Sequence, residues 1–130
     1  MNEEANRRLA YHPQELERLL VSRQNSGDVE GMAALYERQA LLDDGEGRLV
    51  YGRDAIRRFF EELAARGRRF VMGEQRAALA SGDLALTSTR LPDGTVTAEI
   101  ARRQSDGTWL WAIDQFRITA EEQEPPARTS

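Results

Sequence analysis

By residue type and surroundings, the side chain best suited to chemistry is Asp114, in the segment WLWAIDQFRI. Strict strand alternation puts Leu110, Ala112, Asp114, Phe116 and Ile118 on one face and Trp109, Trp111, Ile113, Gln115 and Arg117 on the other. A lone aspartate on an apolar face loses hydration of its ionised form, which raises its pKa toward the range useful for proton transfer near neutral pH. The same position also suits a structural ion pair with an arginine from an adjacent strand, Arg90 or Arg102. Asp43 and Asp44 precede Gly45 and read first as turn aspartates that bond to nearby backbone amides. Tyr36 is either core packing or a pocket hydroxyl, because a buried tyrosine generally finds a partner for its oxygen. His12 stands just before Pro13 and reads as a helix-start residue.

The rest of the composition removes other chemistries. There is no cysteine and a single histidine, so disulfides and zinc sites of thiolate and imidazole are excluded, and any metal would need carboxylates. No metal and no cofactor are expected, since the chain lacks a phosphate-binding glycine loop and a nucleophile elbow and offers no support for flavin or nicotinamide use. The net charge of −4 argues against general nucleic-acid affinity. The short clusters Arg57 and Arg58, Arg66 to Arg69, and Arg102 and Arg103 read as solvated faces and ion-pair partners. No segment nears the roughly 20 apolar residues of a membrane span, and MNEEANRRLAYHP has no apolar stretch of signal-peptide length. A cytoplasmic protein without membrane contact is the expectation.

The elements that must position these residues follow from periodicity. Residues 1–12 form an arm, a short helix or a loose segment; residues 13–119 form one domain, and 120–130, with EEQEPPARTS, a disordered tail. A helix from Pro13 to about Gln24 carries Leu16, Leu19, Leu20 and Val21 on one side, and Asn25, Ser26 and Gly27 stop it. Asp28 caps a second helix whose buried face is Val29, Met32, Ala33, Leu35 and Tyr36. Ala40 to Leu42 and Leu49 to Tyr51 read as short strands around an acidic glycine turn. Asp54 opens a third helix with Ile56, Phe59, Phe60 and Leu63 inward and Gly67 as its stop. From Arg69 to Ile118 the pattern is four strands broken by SGD at 81–83, PDG at 92–94 and SDG at 105–107, a meander. Long strands twist and curl, so this α+β arrangement encloses a cone-shaped pocket between N-terminal helices and a long curved antiparallel sheet.

The order of these elements, with NSGDVEGMAALY, YGRDAIRRFF and DGTWLWAIDQF, resembles the nuclear-transport-factor-2-like superfamily with its cystatin-like fold, within it the SnoaL-like and ketosteroid-isomerase-like proteins. The likeness spans roughly residues 14–118. It implies a cone-shaped α+β barrel, often a dimer, whose relatives include isomerases, cyclases, hydrolases, dehydratases and catalytically silent binding or assembly domains. Carried over by position, the isomerases' proton-shuttling aspartate corresponds to Asp44, or by a one-residue slip to Asp43. Their oxyanion-hole tyrosine corresponds to Leu20, its acidic partner to Ile100, and a supporting third-helix tyrosine to Phe60. Only Tyr36 of that network is retained, so steroid isomerisation by the familiar mechanism is not expected. The SnoaL-like polyketide cyclases have a catalytic aspartate late in the sheet, which Asp114 resembles.

Taken with the resemblance, Asp44 and Asp114 are the candidate catalytic pair, and Tyr36, Phe60, Phe116 and Ile100 the candidate substrate contacts. Three functions are compatible: a cofactor-independent acid–base enzyme on an apolar carbonyl compound, a non-catalytic binder of a small apolar or aromatic ligand, and a homodimeric assembly domain pairing through the sheet. For the last, Trp109 and Trp111 are candidates for an exposed sheet face.

Overall fold

The computed structural model describes residues 7–118; residues 1–6 and 119–130, with the expected tail, lie outside it. Helix α1 (Glu15–Asn25) buries Leu16, Leu20 and Val21, and the short α2 (Val29–Ala33) buries Met32 and Ala33. The second helix is shorter than its apolar pattern suggests. Tyr36 opens strand β1 (Tyr36–Asp43) instead of ending the helix, and β2 (Leu49–Tyr51) folds back on it. Helix α3 (Arg53–Ala65) follows with Ile56, Phe59, Phe60 and Leu63 inward. Its end is a glycine stop: Gly67, at φ 71°, donates to Ala64 O while Arg68 donates to Leu63 O.

The four expected C-terminal strands divide into six: β3 (Glu74–Gln75), β4 (Leu79–Ser81), β5 (Leu84–Thr87), β6 (Thr89–Arg90), β7 (Ala98–Arg103) and β8 (Trp109–Gln115). The turns fall where the glycine dipeptides put them. The main sheet runs β2-β1-β8-β7-β5-β4, and β3 and β6 pair separately. Every neighbour pair in the main sheet is antiparallel except β1 with β8, which is parallel. That exception brings the strand after the first helical pair beside the last strand, and so brings Tyr36 beside the segment holding Asp114.

The described part of the arm touches the fold at a few points, with Arg8, Leu9 and Tyr11 exposed. Ala10 is buried and its carbonyl accepts from Trp109 N. The buried Arg23 guanidinium donates to Gly31 O and to Arg8 O, and Arg7 forms two hydrogen bonds with Asp28. Asp28 also caps α2 through Gly31 N. A Cβ on Gly31 would lie 2.1 Å from Asp28 Oδ2 and 2.7 Å from Arg7 Nε. Gly31→Ala should therefore displace both the cap and the ion pair, lowering stability by about 1–3 kcal/mol. Thermal denaturation at neutral pH checks this, and an unchanged midpoint would refute it.

The tryptophans do not sit on the exposed sheet face. Trp109 and Trp111 are 7% and 1% exposed and belong to the core with Tyr36, Phe60 and Leu42. The outer face is apolar for another reason. Cross-strand partners share a face, and one register row reads Leu79, Leu86, Ile100, Ile113, Leu41, Tyr51 across the whole sheet.

Candidate functional site

Alternation along β8 is broken by a bulge. On β7, Ile100 and Ala101 are consecutive, yet their partners on β8 are Ile113 and Trp111, so Ala112 is the extra residue. Trp111 and Asp114 consequently both turn inward although they are three apart. Asp114 is 3% exposed, and directly opposite it on β7 stands Glu99, 4% exposed. Two acids face each other across the inner side of the sheet, a placement that is unfavourable when both are ionised.

Hydrogen bonds hold each acid. Tyr36, fully buried, donates its hydroxyl to Asp114 Oδ2 at 2.5 Å. Thr87 Oγ1 donates to Glu99 Oε1 at 2.6 Å, and Thr97 Oγ1 donates to Glu99 Oε2 at 2.5 Å. Neither Arg90 nor Arg102 pairs with Asp114: Arg102 reaches Glu37 at 2.9 Å, and Arg90 is exposed. The ion-pair reading of Asp114 is therefore replaced by a tyrosine hydrogen bond.

A third acid comes from α1. Glu17 lies one position past Leu16 and three before Leu20, within the buried stripe, and faces the same cleft. Its pKa is pushed up to about 7, first by burial and then by the charge of Glu99. Asp114 is raised well above the ordinary carboxylate range by burial and then by Glu99, with Tyr36 pulling the other way. Glu99 is raised by burial while its two threonine donors oppose the rise. Tyr36 is raised by burial and by Asp114.

Glu17, Glu99 and Asp114 line a cleft of about 350 Å³. Its floor is Asp114, Glu99 and Thr97; Leu20, Phe70, Leu91 and Phe116 form apolar walls; Asp44, Arg68, Arg69, Asp93 and Arg117 stand around its mouth. Phe70 and Phe116 meet edge to face at 5.6 Å. Such a cleft has the general make-up of a small-molecule site, apolar walls with a few convergent polar groups.

The predicted site residues divide accordingly. Asp114 and Phe116 line the cleft, and so does Asp44, whose Oδ1 also accepts from the amides of Glu46 and Arg48 in the turn. Asp43 instead closes the same turn by accepting from Gly45 N. Tyr36 reaches the cleft only through Asp114. Phe60 is one layer behind, 1% exposed and edge-on to Phe70 at 6.0 Å. Ile100 lies on the outer face, because alternation along β7 sends Glu99 and Ala101 inward. The acid that the resemblance looked for at 100 stands one residue earlier. Glu17, Glu99, Thr87 and Thr97 were not singled out from sequence, although signals existed: a carboxylate inside a helical apolar stripe, and a glutamate in phase with Ala101 in TVTAEIAR.

Among the described residues, no group of three or more histidine, cysteine, aspartate or glutamate side chains is disposed to hold a metal ion. None of their helices is long and apolar enough to cross a membrane.

Residues 17–123 match the profile of the SnoaL-like domain. The chain belongs to the SnoaL-like family. Solved structures agree on the fold of this SnoaL-like chain. A protein of unknown function from Mycobacterium tuberculosis is 21% identical, with a TM-score of 0.66 over 80% of this chain and 72% of that one. A cystatin-like-fold domain of unknown function from Nostoc punctiforme is 22% identical, with a TM-score of 0.61 over 83% and 76%. A ketosteroid isomerase-like protein from Erwinia carotovora atroseptica is 19% identical, with a TM-score of 0.60 over 82% and 94%. No functionally curated protein matches the chain. The SnoaL-like domain thus has the cystatin-like α+β architecture.

Proposed function

We propose that the protein binds a small, largely apolar carbonyl compound in the cleft and catalyses proton transfer next to the carbonyl without a cofactor, as an isomerase, cyclase or dehydratase does. The observation that carries this reading is the Glu99–Asp114 pair opposed across β7 and β8 at the floor of an apolar-walled cleft, with Tyr36 on Asp114. A carboxylic acid kept neutral by its surroundings donates a hydrogen bond to a carbonyl oxygen, and a carboxylate beside it removes a proton from the adjacent carbon. Asp114 supplies the donor, and a glutamate, Glu17 or Glu99, supplies the base. Asp44, farther out, bounds the mouth and contributes to ligand selection together with Phe116.

A screen by thermal shift tests binding against ketones, polycyclic aromatics and steroids, since a ligand that binds only the folded state raises the midpoint. The expected hits are ketones with a hydrogen on the neighbouring carbon, and these should exchange that hydrogen for deuterium in heavy water when the protein is present. A panel that gives neither stabilisation nor exchange removes the enzymatic and the binding readings together.

The outer sheet face supports a second property, homodimerisation. The row from Leu79 to Tyr51 takes one apolar residue from each strand of the main sheet, and Leu86 and Ile113 in its middle are 46% and 45% exposed. An apolar line of this extent across the outer face fits a second copy of the same face about a two-fold axis. Light scattering should give a dimer for the native chain and a monomer for Ile113→Asp. A native monomer at high micromolar concentration overturns it.

A further inference from the structure

The two floor acids are opposed in register, but their hydrogen-bond partners differ in number and direction. Glu99 receives a hydroxyl on each oxygen, from Thr87 and from Thr97. The direction of the second bond is set by the backbone, because Thr97 Oγ1 itself accepts from Thr89 N at 3.1 Å and so turns its hydrogen toward Glu99. Thr87, Thr97 and Thr89 are all buried, which holds this arrangement away from competing water. Among the described residues, Asp114 receives one hydrogen-bond donor, Tyr36, on Oδ2. A carboxylate is favoured where both oxygens accept; a carboxyl carrying a proton needs one oxygen left to bear it.

We propose that Thr87 and Thr97 decide which member of the acid pair is charged, holding the negative charge on Glu99 and leaving the shared proton on Asp114, on the oxygen not engaged by Tyr36. The floor then presents one neutral donor beside one anion. For the reaction proposed above, on which this consequence rests, Asp114 is the donor to the carbonyl oxygen and Glu99 the base that takes the proton from the neighbouring carbon. The same arrangement selects uncharged acceptors at the floor and disfavours carboxylate-bearing ligands there, since a second anion would meet Glu99. The two threonines are positioning residues: they act through Glu99.

Other groups around the pair do not offer an alternative partner at the floor. Glu17 approaches from α1 and favours a proton on Asp114, while the Tyr36 hydroxyl from β1 opposes it; Asp44, Asp93, Arg68, Arg69 and Arg117 stand at the mouth. The opposing effects at Glu99, threonine donors against burial, and the added push of Glu99 on Asp114 agree with the order derived from geometry.

The test needs no ligand, so its outcome is separate from that of the enzymatic reading. Carbon-detected NMR of the side-chain carboxyls in the full chain follows Glu99 and Asp114 as pH is raised. Glu99 should ionise first and Asp114 last. In Thr97→Val the gap should shrink by about one pH unit or more, with the Glu99 midpoint rising and the Asp114 midpoint falling. Thr97→Ser, which keeps the hydroxyl, should restore the native order, an effect that general loosening of the site would not produce. The native protein alone is decisive even if Thr97→Val does not fold. Asp114 ionising before Glu99 overturns the proposal, as does a Thr97→Val protein with both midpoints unmoved.

Discussion

Urea unfolding followed from pH 5 to pH 8 should show the protein losing stability as the pH rises, the reverse of the trend set by ordinary paired carboxylates. Glu17, Glu99 and Asp114 all have pKa values raised in the folded state, Glu17 to about 7 from 4.5. Between the unfolded and folded values the native state binds more protons than the unfolded chain, so the slope of unfolding free energy with pH is negative. The stabilising contribution is complete below the unfolded values and is lost as pH rises through the folded ones. For Glu17 alone the loss is at most roughly 3 kcal/mol, from about 1.4 kcal/mol per pH unit. Asp28 works in the other direction, because Arg7 holds its carboxyl below the ordinary range. Its contribution is present above its unfolded pKa and disappears only in more acidic solution. Glu17→Gln should flatten the decline and make the protein more stable than the native chain at pH 8. A denaturation midpoint that climbs steadily from pH 5 to pH 8 contradicts the whole account of the acid cluster.

Asp114→Asn should leave a folded protein with proton exchange reduced by about 10²- to 10⁴-fold, the usual worth of a positioned acid or base. The amide retains an oxygen to accept from Tyr36, so the fully buried hydroxyl keeps its partner. It also cannot ionise, so it keeps the neutral state that burial and Glu99 favour for the native acid. Structure and stability should therefore survive while proton transfer does not. Asp114→Leu is the contrasting change. It strands the Tyr36 oxygen in the core at a cost of about 1–3 kcal/mol. Exchange kinetics on a ketone identified by thermal shift, compared among the native chain and both variants, give the measurement. Native-level exchange by Asp114→Asn eliminates Asp114 as the proton donor.

Much of the architecture was readable before any coordinates because the signals for it are local. Gly82, Gly94 and Gly107 have positive φ and sit in the three turns that their dipeptides indicate. The α3 stripe of Ile56, Phe59, Phe60 and Leu63 is buried as its spacing requires. Errors arose where tertiary contact overrode a local pattern. The apolar periodicity through Leu35 and Tyr36 continues that of α2, yet Leu35 O accepts from Trp111 N, and the chain joins the sheet there. Strand alternation correctly turned Asp114 away from Ile113, but it put Trp111 on the wrong face because the bulge at Ala112 cannot be seen within β8 alone.

The amino-acid order by itself determined the turns, the helix faces and the presence of an acid without a basic neighbour on the last strand, since these depend on residues close together along the chain. Which groups surround that acid was decided only by tertiary structure. The parallel pairing of β1 with β8 brings Tyr36 to Asp114, the β7–β8 register sets Glu99 opposite it, and the seating of α1 adds Glu17. Each of these is a meeting of segments distant in sequence, where a one-residue change of register exchanges Glu99 for Ile100 and turns a proton-transfer floor into an apolar one.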